Sequence, residues 1–361
     1  MQLWNTLSKE ELEAKLRESG KEFVTISFYQ YANIENPQLF RDHLFQMWSK
    51  LEIVGRTYVA SEGINAQISI PSEHLEQFRE ELYEIEFLND IRLNIAVDEA
   101  DAEFPFLKLK IKVRKKILAD GLSDESFDVT NKGKHLSAEE FNELTDDPNT
   151  ILVDFRNHYE HEVGHFKGAI TPDVDTFRES LPYIEDEYLK EAKDKNIVMY
   201  CTGGIRCEKA SAWYRHKGFE KVHQLEGGII NYARQCDEKG LDNKFIGKNF
   251  VFDERRGERI SEEVIAVCHQ CGTSCDTHTN CVNDACHLLF IQCDSCKEKM
   301  ENCCSDECQS VIHLPEEEQK ELRKGKTVSN KIFKKGRSEK LRFQLNTKKP
   351  LSLVETNKKT T

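Results

Sequence analysis

The first 125 residues alternate between strand-like and helix-like patterns of hydrophobic positions. Ser8 and Glu11 form a capping box that starts a helix, and Gly20 ends it. The pattern then predicts a strand, a helix, two strands, a second helix and two more strand-like segments, at 22–29, 36–51, 56–60, 64–70, 71–85, 91–97 and 106–113. This β-α-β-β-α-β order is typical of a ferredoxin-like split βαβ unit.

A more regular alternation of short apolar strands and helices follows between residues 130 and 240. Strands are predicted at 150–155, 197–200 and 221–225, and helices near Phe141, over 208–217 and from 227 to about 238. Ser137 and Glu140 form a capping box for the first of these helices. Such alternation is typical of a mainly parallel sheet covered by helices. The expected fold class is therefore a multidomain chain with α/β and α+β parts.

Length and cysteine usage narrow the class of protein further. A chain of 361 residues suggests two or three domains. No segment approaches 18 consecutive apolar residues and the first 20 residues contain no apolar secretory core, so we expect neither a membrane span nor export, and a cytoplasmic location. In a reducing compartment the 13 cysteines remain thiols, and clustered cysteines then indicate metal ligands or catalysts rather than disulfides.

Charge is distributed unevenly along the chain. Residues 319–361 hold 14 lysines and arginines against three acidic residues, although the whole chain has a net charge of −13. This tail mixes basic residues with Phe333 and Phe343, a combination that suits RNA binding, while a solvated tail is the alternative. The segment 112–116 (KVRKK) has two similar interpretations: an edge strand kept soluble by charge, or a surface that contacts phosphates.

The most informative segment is the glycine-rich loop after the strand at 197–200. The strand ends at Cys201, and Arg206 begins a helix. Ligands of open α/β sheets bind beyond the carboxyl ends of the strands, and a loop that enters a helix directs backbone N–H groups at an anion. These N–H groups and the guanidinium stabilise a thiolate, which predicts a nucleophilic Cys201 able to hold an anionic persulfide. The predicted anion-binding loop consists of Thr202, Gly203, Gly204, Ile205 and Arg206.

Four segments in this region resemble the sequence markers of a rhodanese domain. They are 153–156 (VDFR), 164–170 (GHFKGAI), 201–206 (CTGGIR) and 225–229 (LEGGI), in that order. The resemblance implies that Cys201 carries a sulfane sulfur as a persulfide and that Asp154 and Arg156 are structural. We expect Cys207 to pack between helix and sheet, with resolution of a Cys201 persulfide as the alternative.

Ten cysteines lie between residues 268 and 308 and predict a structural metal module. Two C-x-x-C pairs separated by 21 residues favour a first zinc-like site formed by Cys268, Cys271, Cys293 and Cys296. The candidates for a second site are Cys281, Cys286, Cys303, Cys304 and Cys308, with His269, His278 and His287. Of these, the site is assigned to Cys281, Cys286, Cys303 and Cys308, although the order of the cysteines alone does not fix the set. An iron–sulfur cluster and a redox or disulfide cluster are the alternatives. Because two Cys₄ sites need eight thiols, at least two of the ten cysteines lie outside them.

From about residue 20 to about 345, the chain resembles the tRNA uridine hydroxylase family, the rhodanese-domain UPF0176 proteins. The segments that carry this resemblance are 61–65 (SEGIN), 201–212 (CTGGIRCEKASA), 247–255 (GKNFVFDER) and 278–281 (HTNC). The implied domains are a ferredoxin-like (acylphosphatase-like) domain over 1–125, a rhodanese domain over 126–245, a Cys-rich putative-zinc module over 246–315 and a basic, partly disordered tail over 316–361.

The resemblance also implies an activity. Members of the family form 5-hydroxyuridine at the wobble uridine of tRNA with dioxygen as co-substrate, and their essential cysteine corresponds to Cys201. The residues alone identify no redox cofactor: the sequence contains no flavin, NAD or haem fingerprint. The alternative function is a thiosulfate sulfurtransferase or persulfide carrier, which needs a sulfur donor and no RNA substrate.

Overall fold

The computed structural model describes residues 7–97, 103–122, 127–324 and 337–343. The chain divides into two compact units, residues 1–264 and residues 265–361. Most of the predicted basic tail, including Phe333, lies outside the described residues. Within the described part, no helix has the length and apolar character that crossing a membrane requires.

The first unit begins with a five-stranded sheet, here called the N-terminal sheet. Its elements are α1 (Lys9–Ser19), β1 (Phe23–Tyr31), α2 (Pro37–Lys50), β2 (Val54–Ala60), β3 (Gly63–Pro71), α3 (Leu75–Tyr83), β4 (Asn94–Ile95) and β5 (Leu109–Val113). The strand order is β4-β1-β3-β2-β5, antiparallel except for the edge strand β5, which runs parallel to β2. The first four strands and two helices confirm the predicted ferredoxin-like order.

Local sequence signals account for the ends of these elements. Ser8 and Glu11 form the predicted capping box of α1, and Gly20 ends the helix in a left-handed conformation. The predicted strand over 91–97 is shorter than expected, since only β4 pairs with β1. One face of the sheet packs on α2 and α3 and buries Trp48 and Phe78. The opposite face carries the polar residues of the alternating strands.

A four-stranded parallel sheet follows in the same unit, in the order β6-β10-β9-β7. Its elements are β6 (Lys134–Leu136), α4 (Ala138–Thr145), β7 (Thr150–Asp154), α5 (His158–His161), β8 (Gly164–Phe166), α6 (Phe177–Ile184), β9 (Asn196–Tyr200), α7 (Ile205–His216), β10 (Val222–Leu225) and α8 (Gly228–Lys239). This confirms the predicted parallel sheet, and α7 begins three residues earlier than its predicted start at residue 208. Strands β8, β11 (Phe245–Asn249) and β12 (Glu258–Arg259) form a small antiparallel sheet.

The second unit is small and rich in cysteine. It contains a two-stranded ribbon and three helices, namely β13 (His278–Asn280), β14 (Leu289–Ile291), α9 (Asp294–Lys299), α10 (Asp306–Ile312) and α11 (Glu316–Arg323). Its buried cluster combines Leu288, Phe290 and Leu341 with four cysteine side chains, Cys281, Cys303, Cys304 and Cys308. Such a small apolar core contributes little stability, which favours an additional cross-link through metal.

Candidate active site

Cys201 lies directly after β9, at the carboxyl edge of the parallel sheet, and α7 begins four residues later. The backbone N–H of Gly204 donates a hydrogen bond to the Cys201 sulfur at 3.2 Å. Gly204 has a φ of +101°, which an L side chain rarely adopts. The loop therefore places a helix N-terminus and a donor against the sulfur, as the sequence predicts.

The glycine pair 227–228, which follows the neighbouring strand β10, packs against this loop and holds it in place. Gly228 also has a positive φ, and a Cβ there would lie 2.5 Å from the Cys201 carbonyl oxygen. The close approach lets the first turn of α8 donate to the loop, from Ile229 N–H to the Cys201 carbonyl at 3.1 Å and from Ile230 N–H to the Thr202 carbonyl at 3.3 Å. The glycine pair 227–228, part of the rhodanese-like segment 225–229, thus helps to hold the cysteine loop in place.

The thiol of Cys201 is buried and acidic. Burial alone raises its pKa, but the Cys207 thiol, the Arg206 charge and nearby backbone N–H groups lower the pKa to about 6. Burial and the neighbouring Cys201 sulfur raise the pKa of Cys207 well above its ordinary value. These opposite shifts place the negative charge on Cys201 and the proton on Cys207 near neutral pH.

Cys207 combines two features that the sequence analysis treated as alternatives. Its side chain is fully buried in the cluster between α7 and the sheet, together with Met199 and Tyr214, as expected for packing. Its thiol also lies close enough to the Cys201 sulfur for each group to shift the pKa of the other. A position in the core therefore leaves Cys207 within reach of any sulfur chemistry at Cys201.

Arg206 has a partner that sequence reasoning missed. Its guanidinium forms a bidentate ion pair with the fully buried carboxylate of Glu160, at 2.7 and 2.8 Å, and contacts the Thr202 hydroxyl oxygen at 3.4 Å. Glu160 completes a capping box with Asn157 at the start of α5, which is the only local signal it carries in the sequence. Glu160 holds Arg206 in place and neutralises part of its charge, so the loop is less cationic than the sequence suggests.

The turn at residues 61–65 (SEGIN) also contacts this helix. Lys209 on α7 is 1% exposed and forms ion pairs with Glu62 at 2.5 Å and with Asp120 at 2.6 Å. Glu62 in addition accepts a hydrogen bond from the Ile117 N–H at 2.8 Å. The turn therefore docks the N-terminal sheet on α7, whereas the sequence alone indicated only a bend.

Asp154 and Arg156 have the structural roles expected of them. The two side chains are fully buried and joined by a bidentate pair, and Arg156 donates to the Gly164 carbonyl at 2.6 Å. Among the described residues, the histidines at 158, 161 and 165 belong to no cluster with metal-binding geometry. His161 instead contacts the Pro172 carbonyl at 3.0 Å, and burial lowers its pKa to about 4.

Two groups of four cysteines in the second unit can each bind a metal ion. Within each group the sulfur atoms lie within 4.8 Å of one another; the groups are Cys268, Cys271, Cys293, Cys296 and Cys281, Cys286, Cys304, Cys308. Individual Sγ–Sγ distances are 3.6 Å for Cys271–Cys293 and for Cys286–Cys304. Four thiolates at about 2.3 Å from a central zinc are separated by about 3.8 Å, so the donor sets fit a tetrahedral ion.

The second group differs by one residue from the predicted set. The structure places Cys304 in the group, where the sequence analysis placed Cys303. The Cys304 N–H donates to the Cys281 sulfur at 3.5 Å, and its own sulfur lies 3.7 Å from that of Cys308. Spacing alone does not distinguish two adjacent cysteines, because their side chains point in different directions. Cys275 and Cys303 are the two cysteines outside both groups, which agrees with the expected surplus.

The thiolate assignment makes a testable prediction about pH. The ultraviolet absorbance of the Cys201 thiolate, obtained as the difference between wild type and Cys201→Ser, is expected to rise with a midpoint near pH 6. Arg206→Gln removes a cation that lowers this pKa, so the midpoint is expected to move upward. A midpoint near 8.5, the ordinary cysteine value, in the wild-type chain would contradict an activated thiol.

Three family models match consecutive parts of the chain. The model described as UPF0176 acylphosphatase like domain matches residues 23–117, the Rhodanese-like domain matches 137–235, and Rhodanase C-terminal matches 246–309. These matches agree with the N-terminal sheet, the parallel sheet that carries Cys201 and the segment that contains both cysteine groups.

Curated relatives extend over nearly the whole chain. A tRNA uridine(34) hydroxylase from Escherichia fergusonii is 55% identical over 336 residues, which is 93% of this chain and 95% of the relative. Proteins of the same name from Photorhabdus laumondii and Leptospira interrogans are 54% and 55% identical and also cover 93% of this chain, matching 95% and 90% of their own lengths. Identity at this level and coverage shows the family: the chain belongs to the tRNA uridine(34) hydroxylases.

Proposed function

We propose that this protein hydroxylates C5 of the uridine at position 34 of tRNA, using the Cys201 thiolate. The relatives named tRNA uridine(34) hydroxylase align with both the N-terminal sheet and the cysteine loop. The single observation that carries the proposal is the acidic, buried Cys201 thiol, hydrogen-bonded by Gly204 at a helix N-terminus. A thiolate is the strongest nucleophile and reductant that a protein side chain offers.

The proposed reaction replaces the C5–H of uracil by C5–OH, with dioxygen as the oxidant. One oxygen atom enters the base and the other leaves as water, so the reaction consumes two electrons and two protons. Two thiols supply both when they become a disulfide. In the cysteine loop the Cys201 and Cys207 thiols shift each other's pKa and are the candidates for this pair, which a reductant of the thiol class can regenerate.

Two roles for Cys201 are consistent with this balance. In the first, the thiolate adds to C6 of uracil, which raises the electron density at C5 for attack on oxygen, and leaves again when C5 loses its proton. An external reductant of the thiol class then supplies the two electrons and two protons that convert the second oxygen atom to water. In the second, Cys201, as thiol or persulfide, acts only in the reductive half. Cys207→Ser distinguishes them, since it preserves addition to C6 and removes an intramolecular disulfide. Retained hydroxylation supports the first role, and loss equal to that of Cys201→Ser supports the second.

Isotope labelling tests the oxidant. Cells that depend on this chain for 5-hydroxyuridine are grown under ¹⁸O₂, and the nucleoside is measured by mass spectrometry. We expect the added oxygen to carry the heavy isotope. A light oxygen in the nucleoside under ¹⁸O₂ would assign the oxygen to water and remove dioxygen as its source.

A second function, transfer of sulfane sulfur, is favoured by one observation. The loop that contains the acidic Cys201 thiol lies within the part of the chain that matches the Rhodanese-like domain model. A sulfurtransferase would turn over thiosulfate, the sulfur donor, and cyanide without RNA. The present proposal expects this turnover to be absent or slow, and expects deletion of the protein to change tRNA nucleosides. Fast thiosulfate–cyanide turnover with unchanged tRNA would favour the second function.

The N-terminal sheet offers a surface for the phosphates of tRNA. Lys108 directly precedes the edge strand β5, and Lys110 and Lys112 lie on it on either side of the inward-facing Ile111. Within the described part of the chain none of the three lysines forms an ion pair. Partial burial and the charges of Lys112, Lys108 and Arg56 lower the pKa of Lys110, which reflects a locally positive potential. No acidic side chain of the described residues neutralises these lysines, so their positive potential favours contacts with the phosphates of RNA. We place this binding in the cytoplasm.

Removal of this charge has a predictable effect on tRNA binding. Lys110→Ala with Lys112→Ala is expected to weaken binding and to reduce the slope of log K against log salt concentration by about 1 to 2, as two phosphate contacts are lost. The matched control is Lys193→Ala with Lys195→Ala, two exposed lysines just before β9, at the edge of the parallel sheet opposite Cys201. Equal salt slopes for wild type and both double variants would exclude β5 from the interface.

We further propose that the metal in the second unit is zinc and that its role is structural. Sets of four thiolates with these separations suit Zn²⁺. In structural sites this ion is coordinated by four protein ligands and has no open position. When bound, the ions cross-link the ribbon β13–β14 and the helices that follow it. No cysteine of either group lies in the Cys201 loop, which agrees with a structural role for these ions.

A further inference from the structure

Three polar side chains of the N-terminal sheet converge on the cysteine loop. Ser27 lies on β1 and Asn94 on β4, and the two residues are register partners of adjacent antiparallel strands. Tyr29 follows Ser27 by two positions on β1. Because side chains alternate along a strand and paired residues share a face, all three project from the same side of the sheet.

The glycines of the loop show how close these groups come. A Cβ on Gly204 would lie 2.8 Å from the Tyr29 hydroxyl oxygen, and one on Gly203 would lie 3.7 Å from the Asn94 amide nitrogen and 4.0 Å from the Ser27 hydroxyl. A Cβ on Gly227 would lie 3.1 Å from the Asn94 amide oxygen. The loop backbone at these glycines therefore lies directly against the polar groups of the sheet.

These polar groups have few partners of their own. Among the described residues, the Asn94 amide and the hydroxyls of Ser27 and Tyr29 form no hydrogen bond, although Asn94 is only 7% exposed. The Asn94 amide atoms are not among the fully buried side-chain atoms without partners, so a ligand can reach them and complete their hydrogen bonds. The charge of the Cys201 thiolate contributes to raising the pKa of Tyr29, after burial and Glu208, which places the Tyr29 hydroxyl in the electrostatic field of the reactive sulfur.

Neighbouring contacts fix the sheet over the loop. The Tyr31 hydroxyl donates to the Ile205 carbonyl at 3.5 Å, and Arg234 on α8 donates to the Ile95 carbonyl, next to Asn94, at 2.7 Å. Arg92 also forms an ion pair with Glu226, just before the double glycine. The position of the polar groups relative to Cys201 is thus maintained on both sides of the loop.

The strand register links these groups to the basic edge of the sheet. Ser27 pairs with Gln67, Gln67 with Arg56, and Arg56 with Lys110, so one row of side chains crosses the sheet from Asn94 to β5. The next row joins Tyr29, Asn65, Tyr58 and Lys112 in the same way. Three strand spacings of about 4.8 Å separate β5 from β1, a distance of about 14 Å. One polar face therefore runs from the lysines of β5, proposed above to contact RNA phosphates, to the cysteine loop.

We propose that Asn94, supported by Ser27 and Tyr29, binds the imide edge of the target uracil and holds its C5–C6 bond at Cys201. The Asn94 amide presents one acceptor and one donor side by side, which match the N3–H and an adjacent carbonyl of uracil. The Tyr29 hydroxyl, which lies next to Gly204, donates to the other uracil carbonyl, or to the oxygen on which charge develops if the thiolate adds to C6. The inference rests on the proposed tRNA hydroxylation and names its base-binding residues.

The test compares variants that complement a strain without tRNA uridine hydroxylation, with 5-hydroxyuridine and its derivatives measured by mass spectrometry. Asn94→Ala removes both hydrogen bonds, and Asn94→Asp keeps the shape and the acceptor but presents no donor at neutral pH. We expect each to lower the modified nucleoside by roughly tenfold or more. Asn149→Ala is the matched control, because Asn149 is exposed just before β7, at the edge of the parallel sheet opposite Cys201, and is expected to match wild type.

Three measurements on the purified variants separate base binding from a structural role. The midpoint of thermal unfolding, the midpoint of the Cys201 thiolate titration and the affinity for tRNA are expected to equal those of wild type, because phosphate contacts dominate the affinity. Wild-type levels of modification in Asn94→Ala, or loss that accompanies a changed thiolate titration or unfolding midpoint in both Asn94 variants, would overturn the inference. Absence of modification with the wild-type chain itself would instead refute the proposed hydroxylation.

Discussion

Replacement of Cys201 by serine is expected to lower the 5-hydroxyuridine formed at position 34 by roughly a thousandfold or more. Serine preserves the size of the side chain, but its hydroxyl does not ionise near neutral pH and cannot form a disulfide or persulfide. Removal of an essential nucleophile typically has effects of this size or larger. The measurement is the amount of the nucleoside in tRNA from a complemented deletion strain.

Cys236→Ser provides a matched control for this variant. Cys236 is also buried in the first unit, on α8, but it lies in the apolar cluster with Tyr232 and Phe245 rather than in the loop. The same substitution there is expected to leave hydroxylation intact, even if it lowers the stability of the protein slightly. Equal activity of Cys201→Ser and wild type would remove the thiolate from the mechanism in either of its proposed roles.

The second large effect concerns metal content. The purified chain is expected to contain about two zinc ions, one for each group of four cysteines. Cys304→Ser removes one ligand of the second group and is expected to reduce the content to about one ion. Cys303→Ser changes the adjacent residue, which lies outside the group, and is expected to retain both ions.

The adjacent residues Cys303 and Cys304 provide a matched pair of variants for this experiment. The two variants share the same chemical change and adjacent positions, and they differ only in which sulfur lies near Cys281 and Cys308. Chelation of zinc is also expected to unfold the second unit, because metal binding supplies free energy that its small apolar cluster lacks. Loss of one ion from Cys303→Ser with two retained in Cys304→Ser would reverse the assignment, and iron in place of zinc would favour an iron–sulfur cluster.

Sequence predicts this fold best where its signals are local. The capping boxes at Ser8 and Ser137, and the glycine that ends α1, are short-range patterns that the structure reproduces. The loop from Cys201 to Arg206 can likewise be predicted from the sequence, because a strand, a glycine pair and a helix start follow one another within a few residues. These features depend on contacts that lie within one turn or loop of the chain.

Contacts between distant segments explain what the sequence analysis missed. Glu160 precedes Arg206 by 46 residues, and only the folded sheet brings the buried pair together. Asn94 and Tyr29 reach the loop because strand register selects one face of the N-terminal sheet and the Lys209–Glu62 pair docks that sheet on α7. A single sequence carries no local sign of either arrangement.

Side-chain direction limits predictions of ligand sets in the same way. The spacing of the two C-x-x-C pairs identified the group that includes Cys268 and Cys271, which the structure brings together. The adjacent Cys303 and Cys304 point differently, and the turn before α10 selects Cys304. Spacing thus indicates the kind of site, whereas the backbone path decides its last ligand.

The most direct test of this account is nucleoside analysis of tRNA from a strain that lacks all tRNA uridine hydroxylation and carries either this chain, its Cys201→Ser variant or an empty vector. We expect 5-hydroxyuridine or its derivatives at position 34 with the wild-type chain alone. Equal nucleoside profiles with the wild-type chain and the empty vector, while the purified chain turns over thiosulfate rapidly, would contradict tRNA hydroxylation and assign the acidic cysteine to sulfur transfer.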